Sequence, residues 1–362
     1  MRIRAALALT AATLLVLPAG AAEAAPKWTT ILKDPSIEWV QHLHATGNRS
    51  LWAFLSVTDG AGGAKTVARH WNGTKWRTVP LPLPGGWIEF ADSAAPDDVW
   101  ATVGKEWDRA DTVNAIIHWD GTRWSTVRTF GEHGASDVVA LGGGAAQTSV
   151  YGKNGARILT YRKGAWTGKT VKGLSLGTVA QSGKPYSWAL GGKVDKDEND
   201  VYRRVGDRWR RQQPPLSLLR IATAECLRLW PGLPRSECPV GEPTELVVNG
   251  PKNVLLLVNY TGPTPSTRVL RWNGKKWSIV GHVWKYYAGR VTPDGKGGFW
   301  AVDIDDPERL LRFRDGELTK VALPKGVTRV DHLSPTPSGR LYATAGDDYG
   351  SNSVIRFLTG VR

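Results

Sequence analysis

The sequence has very little cysteine and no apolar run that is long enough to cross a bilayer. Cys226 and Cys238 are its only cysteines, and no Cys–His motif surrounds either of them, which argues against a thiol nucleophile. A Gly-rich phosphate loop, a Gly-x-Ser-x-Gly motif and a His-Glu-x-x-His motif are all missing. The sequence therefore contains none of the motifs by which nucleotide-binding enzymes, serine hydrolases and zinc proteases are usually recognised.

The first residues have the pattern of a secretory signal. Arg2 and Arg4 precede the apolar stretch 5–17, and Ala22-Glu23-Ala24 forms a small-x-small cleavage site. That stretch is shorter than the ~20 residues that a membrane span requires, so we expect cleavage, no membrane span and an extracellular location. We assign 1–24 to a signal peptide and 25–362 to one domain. In an oxidising compartment Cys226 and Cys238 are expected to form a disulfide.

Positive charge exceeds negative charge along the chain. The 47 Lys and Arg residues and 33 Asp and Glu residues give a net charge of +14. Export and a basic balance together indicate an anionic environment. We expect the partner to be a glycan, an anionic wall polymer or a protein rather than nucleic acid, and we expect a monomer. The alternative is that the charge only keeps the protein in solution.

A seven-residue motif recurs along the sequence. Residues 118–124, His-Trp-Asp-Gly-Thr-Arg-Trp, return almost unchanged at 70–76 and 271–277, and more loosely at 161–166 and 313–318. Asx-Gly between apolar runs is typical of tight β-hairpins, because glycine accepts the positive φ of the turn. The motif predicts two strands whose aromatic residues are diagonal cross-strand neighbours.

A second motif, a polar turn followed by a strand with a large apolar residue, alternates with the first. Its central residues, called markers here, are Trp52, Trp100, Tyr151, Trp188, Leu256, Trp300 and Tyr342, at intervals of 48, 51, 37, 68, 44 and 42 residues. Units of this length predict an all-β fold, a seven-bladed β-propeller with strands a to d in each blade. Because the chain ends in a strand c and 27–32 resembles a strand d, the N-terminal strand should close the last blade.

Two features interrupt the repeats. In the fourth unit, 204–209 lacks the first aromatic residue of the hairpin motif and has one residue fewer between its ends. An insertion at about 214–242 then follows, which holds both cysteines. Its apolar spacing predicts one short helix that ends at Trp230-Pro231-Gly232. We expect this insertion to decorate the ring rather than to form a second domain.

The repeats resemble the kelch-type repeat of galactose-oxidase-like propellers. The best match is 100–104 followed by 119–124: a strand ending in glycine, a loop, then aromatic residue, turn and tryptophan. The resemblance covers most of the chain and implies the propeller fold, as a divergent member because the double glycine of a kelch blade is mostly missing. A copper radical oxidase of this family would need a Tyr–Cys crosslink, which we do not expect with both cysteines in the insertion.

The propeller topology divides the connections between two sides of the ring. The b–c and d–a connections share one side, called the loop face, and the a–b and c–d connections share the other, called the turn face. Cations of the c–d turns and strands d make the turn face basic: Lys75, Arg77, Arg123, Lys163, Arg208, Arg210, Arg211, Lys275 and Lys276. Carboxylates and aromatic residues make the loop face a candidate ligand site: Trp107, Asp108, Arg109, Trp284, Tyr286, Tyr287, Asp303, Asp305, Asp306, Asp347, Asp348 and Tyr349.

Exposed aromatic rings beside carboxylates are a common way to grip a sugar. The alternative is that these rings only cover the edge of the fold. Trp39 and Trp87 each stand thirteen residues before a marker, so we expect them to pack at the start of strand a.

His42 and His332 each stand ten residues before a marker, which makes them equivalent in neighbouring blades. Such a pair near the axis could hold a metal or act as acid and base. Without a third ligand, however, hydrogen-bonded packing histidines are the interpretation we favour. Asp195, Asp197 and Asn199 have the spacing of a calcium loop but lack its glycine and its glutamate. We therefore expect no cofactor, with calcium as the alternative.

Three functions fit this sequence. The first is an exported, non-catalytic propeller that binds a glycan, wall polymer or protein through the loop face. The second is a carbohydrate-active enzyme with Asp303, Asp305, Asp306 or Asp347 as acid and base. The third is an interaction or inhibitor module that uses the insertion closed by Cys226 and Cys238. The fold alone does not choose among them.

Overall fold

The computed structural model describes residues 27–58, 64–83, 85–104, 114–131, 135–150, 152, 154–178, 187–194, 199–206, 208–229, 232–234, 237–260, 266–284, 288–303, 310–323, 325–336, 338–346 and 355–361. Almost all of the regular structure in these residues is β-strand.

In the first half of the chain the strands are β1 Lys27–Asp34, β2 Ile37–Gly47, β3 Ser50–Thr58, β4 Ala64–Trp71, β5 Trp76–Val79, β6 Trp87–Ala95, β7 Asp98–Gly104, β8 Ala115–Trp119, β9 Trp124–Thr129, β10 Ala135–Ala140, β11 Ala146–Val150, β12 Gly155–Arg162, β13 Ala165–Lys172 and β14 Leu174–Thr178. In the second half they are β15 Trp188–Lys193, β16 Asp200–Val205, β17 Arg208–Arg211, β18 Glu242–Gly250, β19 Asn253–Tyr260, β20 Ser266–Trp272, β21 Trp277–Trp284, β22 Ala288–Pro293, β23 Phe299–Asp303, β24 Leu310–Arg314, β25 Glu317–Val321, β26 Arg329–Pro335, β27 Leu341–Gly346 and β28 Ile355–Val361. Two helices, α1 Leu216–Leu219 and α2 Thr223–Leu229, lie between β17 and β18.

The strands form seven antiparallel sheets of four strands each. Six of these sheets consist of four consecutive strands: β2–β5, β6–β9, β10–β13, β14–β17, β18–β21 and β22–β25, here blades 1 to 6. The remaining sheet has the order β1-β28-β27-β26 and is here blade 7. If a complete blade is one whose four strands are consecutive in the sequence, the chain therefore has six complete blades, not seven. The expected count of seven blades needs this correction, because the remaining sheet combines the last three strands of the chain with the N-terminal strand β1.

The two ends of the described chain meet in blade 7. Trp28 of β1 pairs with Gly360 of β28, and Lys33 pairs with Arg356. The indole nitrogen of Trp28 also donates to the Ala322 carbonyl oxygen at 3.0 Å. A sheet assembled from both ends of the chain closes the ring, so opening it requires breaking this pairing.

The hairpin motif folds as a tight turn held by its Asx side chain. Asn72 Oδ1 accepts the backbone N–H groups of Thr74 and Lys75, both at 3.0 Å, and Gly73 has a φ of +94°. Trp71 and Trp76 are direct register partners with ring centroids 5.7 Å apart. The motif therefore places its aromatic residues directly opposite each other, and the expected diagonal arrangement is wrong.

The core consists of contacts between neighbouring blades, and one rule describes most of them. In most blades the marker packs against the aromatic residues of the next blade's hairpin motif. Trp52 lies 4.9 Å from Trp119 and 5.1 Å from Trp124 between ring centroids. Trp188 lies 5.8 Å from both Trp272 and Trp277. Trp100 against Tyr161, Tyr342 against Trp71 and Trp300 against Trp28 repeat the arrangement.

Register places two markers differently from the sequence prediction. The marker is the residue that pairs with the position before the hairpin motif's first aromatic residue, as Trp52 pairs with His70. In blade 3 the residue that pairs with Thr160 is Gln147, and in blade 5 the residue that pairs with Arg271 is Leu255. Leu256 is therefore one residue out of register, and Tyr151 lies outside the described residues.

The insertion is part of the core rather than a decoration. It contains two short helices instead of one, and its Leu219, Ile221 and Cys226 are buried in one cluster with Trp188 and Trp272. Arg268 of blade 5 donates to the carbonyl oxygens of Leu218 and Arg220 at 2.7 and 3.0 Å. The Cys226–Cys238 disulfide is present, with the two Cα atoms 5.9 Å apart. The insertion thus fills the interface between blades 4 and 5.

Candidate functional site

Most of the predicted loop-face residues lie outside the described residues. These are Trp107, Asp108, Arg109, Tyr286, Tyr287, Asp305, Asp306, Asp347, Asp348 and Tyr349. Trp284 is the last residue of β21 and Asp303 the last residue of β23, so both backbones lie at the loop face. For the other ten, the ligand-site assignment stays a prediction.

Asp303 differs from an exposed loop carboxylate. It pairs with Ala288 in the blade 6 register and is only 1% exposed. A carboxylate in this position lies inside the edge of the blade rather than on top of it. It cannot contact a polymer on the surface without a rearrangement of the strand ends.

Trp39 is an exposed aromatic residue whose environment was predicted wrongly from the sequence. It lies near the loop-face end of β2 and is 55% exposed, so the expectation that it packs at the start of strand a is wrong. Glu38 beside it is exposed as well, and Glu89 is exposed near the same end of β6. Burial of part of the Glu89 side chain raises its pKa. The described part of the loop face therefore carries an aromatic ring and carboxylates.

In five blades the first strand contains a β-bulge at the equivalent position. Register shifts fall between Val40 and His42 in β2, and at the matching places in β6, β10, β18 and β26. A bulge turns the residues beside it. The residues that follow the shift are His42, Phe90, Asp137, Glu245 and His332. Only the two histidines of this set were recognised from the sequence.

His42 and His332 each make a hydrogen bond to the backbone of the next blade. His42 Nε2 accepts the Ala91 N–H at 3.3 Å, and His332 Nε2 lies 2.9 Å from the Val40 carbonyl oxygen. Burial, together with the neighbouring His44 and His332, lowers the pKa of His42 to about 3. An unprotonated His42 suits its role as an acceptor. These contacts support the packing interpretation of the pair.

Glu245 is a carboxyl group of this set whose pKa departs from its ordinary value. Burial raises its pKa from 4.5 to about 7, because desolvation disfavours the charged form. Such a group exchanges a proton near neutral pH. However, the described residues include no group of three His, Cys, Asp or Glu side chains that could hold a metal ion.

The predicted calcium loop is only partly covered by the described residues. Asp195 and Asp197 lie outside them, and Asn199 lies just before β16. Asp200, the next residue, accepts two hydrogen bonds from Arg211 at 2.6 and 2.7 Å. This carboxylate therefore holds strand c to strand d.

The turn face carries exposed cations where the hairpin motif predicted them. Lys75, Arg77, Arg123, Lys163, Arg208, Arg210, Arg211, Lys275 and Lys276 are all exposed. Arg77 additionally lies with its guanidinium 5.6 Å from the ring of Trp119 in the next blade. Because every hairpin motif points the same way around the ring, the cations in and beside the c–d turns share one side of the molecule. Arg211 is the exception, since it lies at the other end of β17 and donates to Asp200 at the loop-face end of β16.

No protein-family model and no curated protein matches the chain. Solved structures do. YCF48 from Cyanidioschyzon merolae aligns with a TM-score of 0.57 at 12% identity, over 92% of this chain and 99% of that one. A streptogramin B lyase aligns with a TM-score of 0.54 at 10% identity, over 92% and 98%. The WD40 β-propeller domain of Doa1 gives 0.53 at 12% identity, over 91% and 96%.

The chain is a β-propeller. At these identities the likeness shows the fold alone, and the kelch-type resemblance stays a prediction. Among the described residues, no helix is both long and apolar enough to cross a membrane.

Proposed function

We propose that this protein is an exported, non-catalytic propeller that attaches to an anionic wall polymer or acidic glycan through its turn face. Export is supported by the signal-like residues 1–24. The observation that carries the proposal is the exposure of the predicted cations in and beside the c–d turns, which lie on one side of the ring. Surface cations contribute little to folding, whereas a single-sign surface attracts polyanions and steers their association.

A matched pair of variants tests this attachment. Lys275→Ser/Lys276→Ser removes two charges from the turn face, and Lys65→Ser/Lys193→Ser removes two exposed charges from strand ends at the loop face. Both variants have the same net charge. On immobilised polygalacturonate, the turn-face variant should elute at clearly lower NaCl concentration than the loop-face variant, because salt screens exposed charges. Equal elution of the two variants, or retention that salt does not change, would contradict the proposal.

A second binding function at the loop face is supported by the exposed Trp39 and by the lengths of the connections. The loop face receives the connections 59–63, 105–114, 261–265, 304–309 and 347–354, together with the insertion. Most turn-face connections are short, such as 48–49, 96–97 and 163–164. Long connections are where recognition residues concentrate. The ligand here would be a glycan or a protein, as the carboxylates and aromatic rings suggest.

Glycan-array binding of the chain without residues 1–24 tests this second function. Trp39→Ala should lose binding while Trp39→Phe retains most of it, because a ring rather than a specific side chain stacks on a sugar. Unchanged binding by Trp39→Ala would exclude this residue from the site. Trp107→Ala and Trp284→Ala extend the test to the predicted rings.

The enzyme alternative has less support. Hydrolysis of a glycoside requires two carboxyl groups about 5–9.5 Å apart across a pocket. Of the four candidate acids and bases, Asp303 alone lies among the described residues, and it is 1% exposed. The insertion is likewise packed into the ring through Leu219 and Cys226, which argues against its use as a free inhibitory arm.

A further inference from the structure

The interface between blades 3 and 4 departs from the aromatic packing of the other interfaces. The marker on the blade 3 side is Gln147, and the pair on the blade 4 side is Arg204 and Trp209 instead of two aromatic residues. Both departures from the repeat therefore meet at the same interface. A polar residue faces a polar residue where the fold elsewhere packs rings or aliphatic side chains.

A half-open pocket of about 170 Å³ lies at this interface. Its apolar wall consists of Ile158 and Val171 of blade 3 and Trp209 of blade 4. Ile158 is buried, while Thr167 and Lys169 on the outer strand β13 are exposed. The pocket thus opens toward the rim of the ring.

Polar groups line the rest of the pocket. Gln147 is only 4% exposed, and its Nε2 donates to Thr160 Oγ1 at 2.9 Å. Thr167 adds a second hydroxyl group, and Lys169 and Arg204 add two cations. The Nε of Arg204 donates to the Gly206 carbonyl oxygen at 3.1 Å, which fixes the position of its guanidinium.

We propose that this pocket binds one acidic sugar unit. The indole and aliphatic wall suits the apolar face of a sugar ring, and hydroxyl and amide groups suit its hydroxyl groups. Lys169 and Arg204 suit a carboxylate, since hydrogen bonds to an ionised partner are the stronger ones. The small volume admits a single ring, and the opening at the rim leaves room for the remainder of a chain. The proposal does not require attachment at the turn face, because a free sugar acid could bind here.

Saturation-transfer NMR with sodium D-glucuronate as the probe tests the site. D-glucose and inorganic phosphate form the other two arms of the experiment. Measurements in 0.5 M NaCl screen the exposed cations of the turn face, whereas the partly buried Arg204 of the pocket is screened much less. Saturable binding of glucuronate, with at least tenfold weaker binding of glucose and of phosphate, is the expected result.

Two variants locate the binding. Arg204→Gln and Lys169→Gln should each weaken glucuronate binding about tenfold, as the loss of one charge-assisted hydrogen bond predicts. Lys172→Gln is the matched control, because Lys172 is an exposed cation on the same strand as Lys169 but does not line the pocket. Its binding should match that of the unaltered protein. Lys169 lies on an exposed outer strand, so its variant should fold even if the Arg204 variant does not.

Several results would overturn the proposal. Absence of glucuronate binding would exclude the site. If glucose bound as tightly as glucuronate, the two cations would not recognise the carboxylate. If phosphate bound as tightly as glucuronate, the apolar wall would not recognise the sugar ring. Equal weakening by Lys172→Gln would indicate general surface charge instead of this pocket. Failure of the polygalacturonate experiment at low salt would leave each of these results unaffected.

Discussion

The interface between blades 1 and 2 and the interface between blades 3 and 4 are built on the same backbone plan with opposite chemistry. In the first, Trp52 is fully buried against Trp119 and Trp124. In the second, the equivalent position holds Gln147, and a pocket of about 170 Å³ occupies the place of an indole. The comparison shows that aromatic packing is present at one interface between blades and that the propeller folds without it at another.

The residue beside each marker follows the same division. His70 stacks on Trp52 with ring centroids 4.6 Å apart, whereas the equivalent residue beside Gln147 is Thr160. Arg203 and Arg312 occupy this position over Trp188 and Trp300. Each of these tryptophan markers is thus covered by an imidazole ring or a guanidinium group. Blade 3 has neither the tryptophan nor the group that covers it.

The largest expected difference comes from truncating the two markers. Trp52→Ala should lower the free energy of unfolding by about 3–5 kcal/mol, the range for removing a large buried ring. Gln147→Ala should cost about 1 kcal/mol, since it removes the hydrogen bond to Thr160 beside an existing pocket. Urea unfolding followed by circular dichroism measures both. Similar losses in the two variants would show that the pocket interface carries as much stability as the aromatic one.

A smaller effect concerns pH. Burial, with help from Arg77, lowers the pKa of His70 from 6.5 to about 4. Between pH 6.5 and pH 4 the His70 side chain is protonated in the unfolded chain but not in the folded chain. The contribution of His70 to the free energy of unfolding therefore falls as the pH drops from 6.5 toward 4. His70→Thr, which copies Thr160 of blade 3, should remove about 1–2 kcal/mol of that loss after allowance for partial exposure.

Urea midpoints of His70→Thr and the unaltered protein at pH 7.5 and pH 4.5 provide the measurement. The variant should lose less stability between the two pH values. The remaining loss would come from His42 and His44, whose pKa values are lowered to about 3 and about 4 by burial. Identical losses in both proteins would mean that His70 does not titrate differently in the folded state.

The sequence predicted the parts of the fold that depend on local chemistry. The Asx-Gly hairpins, the strands around them and the pairing of Trp28 near Ile355 follow from turn residues and from similarity between repeats. Gln147 and Leu255 were missed as markers because the position is defined by cross-strand register, and neither residue is aromatic. The β-bulges that place Glu245 beside the axis are backbone features without a residue signature.

The candidate sites were predictable to different degrees. The cations in and beside the c–d turns were found because the hairpin motif fixes where its side chains lie, whereas Arg211 at the other end of β17 was assigned to the wrong face. The exposure of Trp39 was not predicted. Sequence spacing gives the position of a residue along its strand, but it does not show whether the neighbouring blade covers that position. The pocket at the interface of blades 3 and 4 requires two distant departures, at Gln147 and Arg204, to meet in space. Only the order of the blades around the ring brings them together.

The smallest expected effect comes from restoring apolar packing at that interface. Gln147→Leu, which copies Leu255 of blade 5, places methyl groups against Ile158, Val171 and Trp209. It also removes the hydrogen bond to Thr160. We expect an increase of about 0.5–1 kcal/mol in the free energy of unfolding, because burial of the leucine side chain outweighs the modest net value of one hydrogen bond. Gln147→Leu/Thr160→Val should be slightly more stable still, since it removes both partners of the hydrogen bond between these two side chains. Loss of stability in the double variant would mean that the polar side chains at this interface are required for folding. It would contradict the interpretation that the propeller is less stable here because the interface holds a binding pocket.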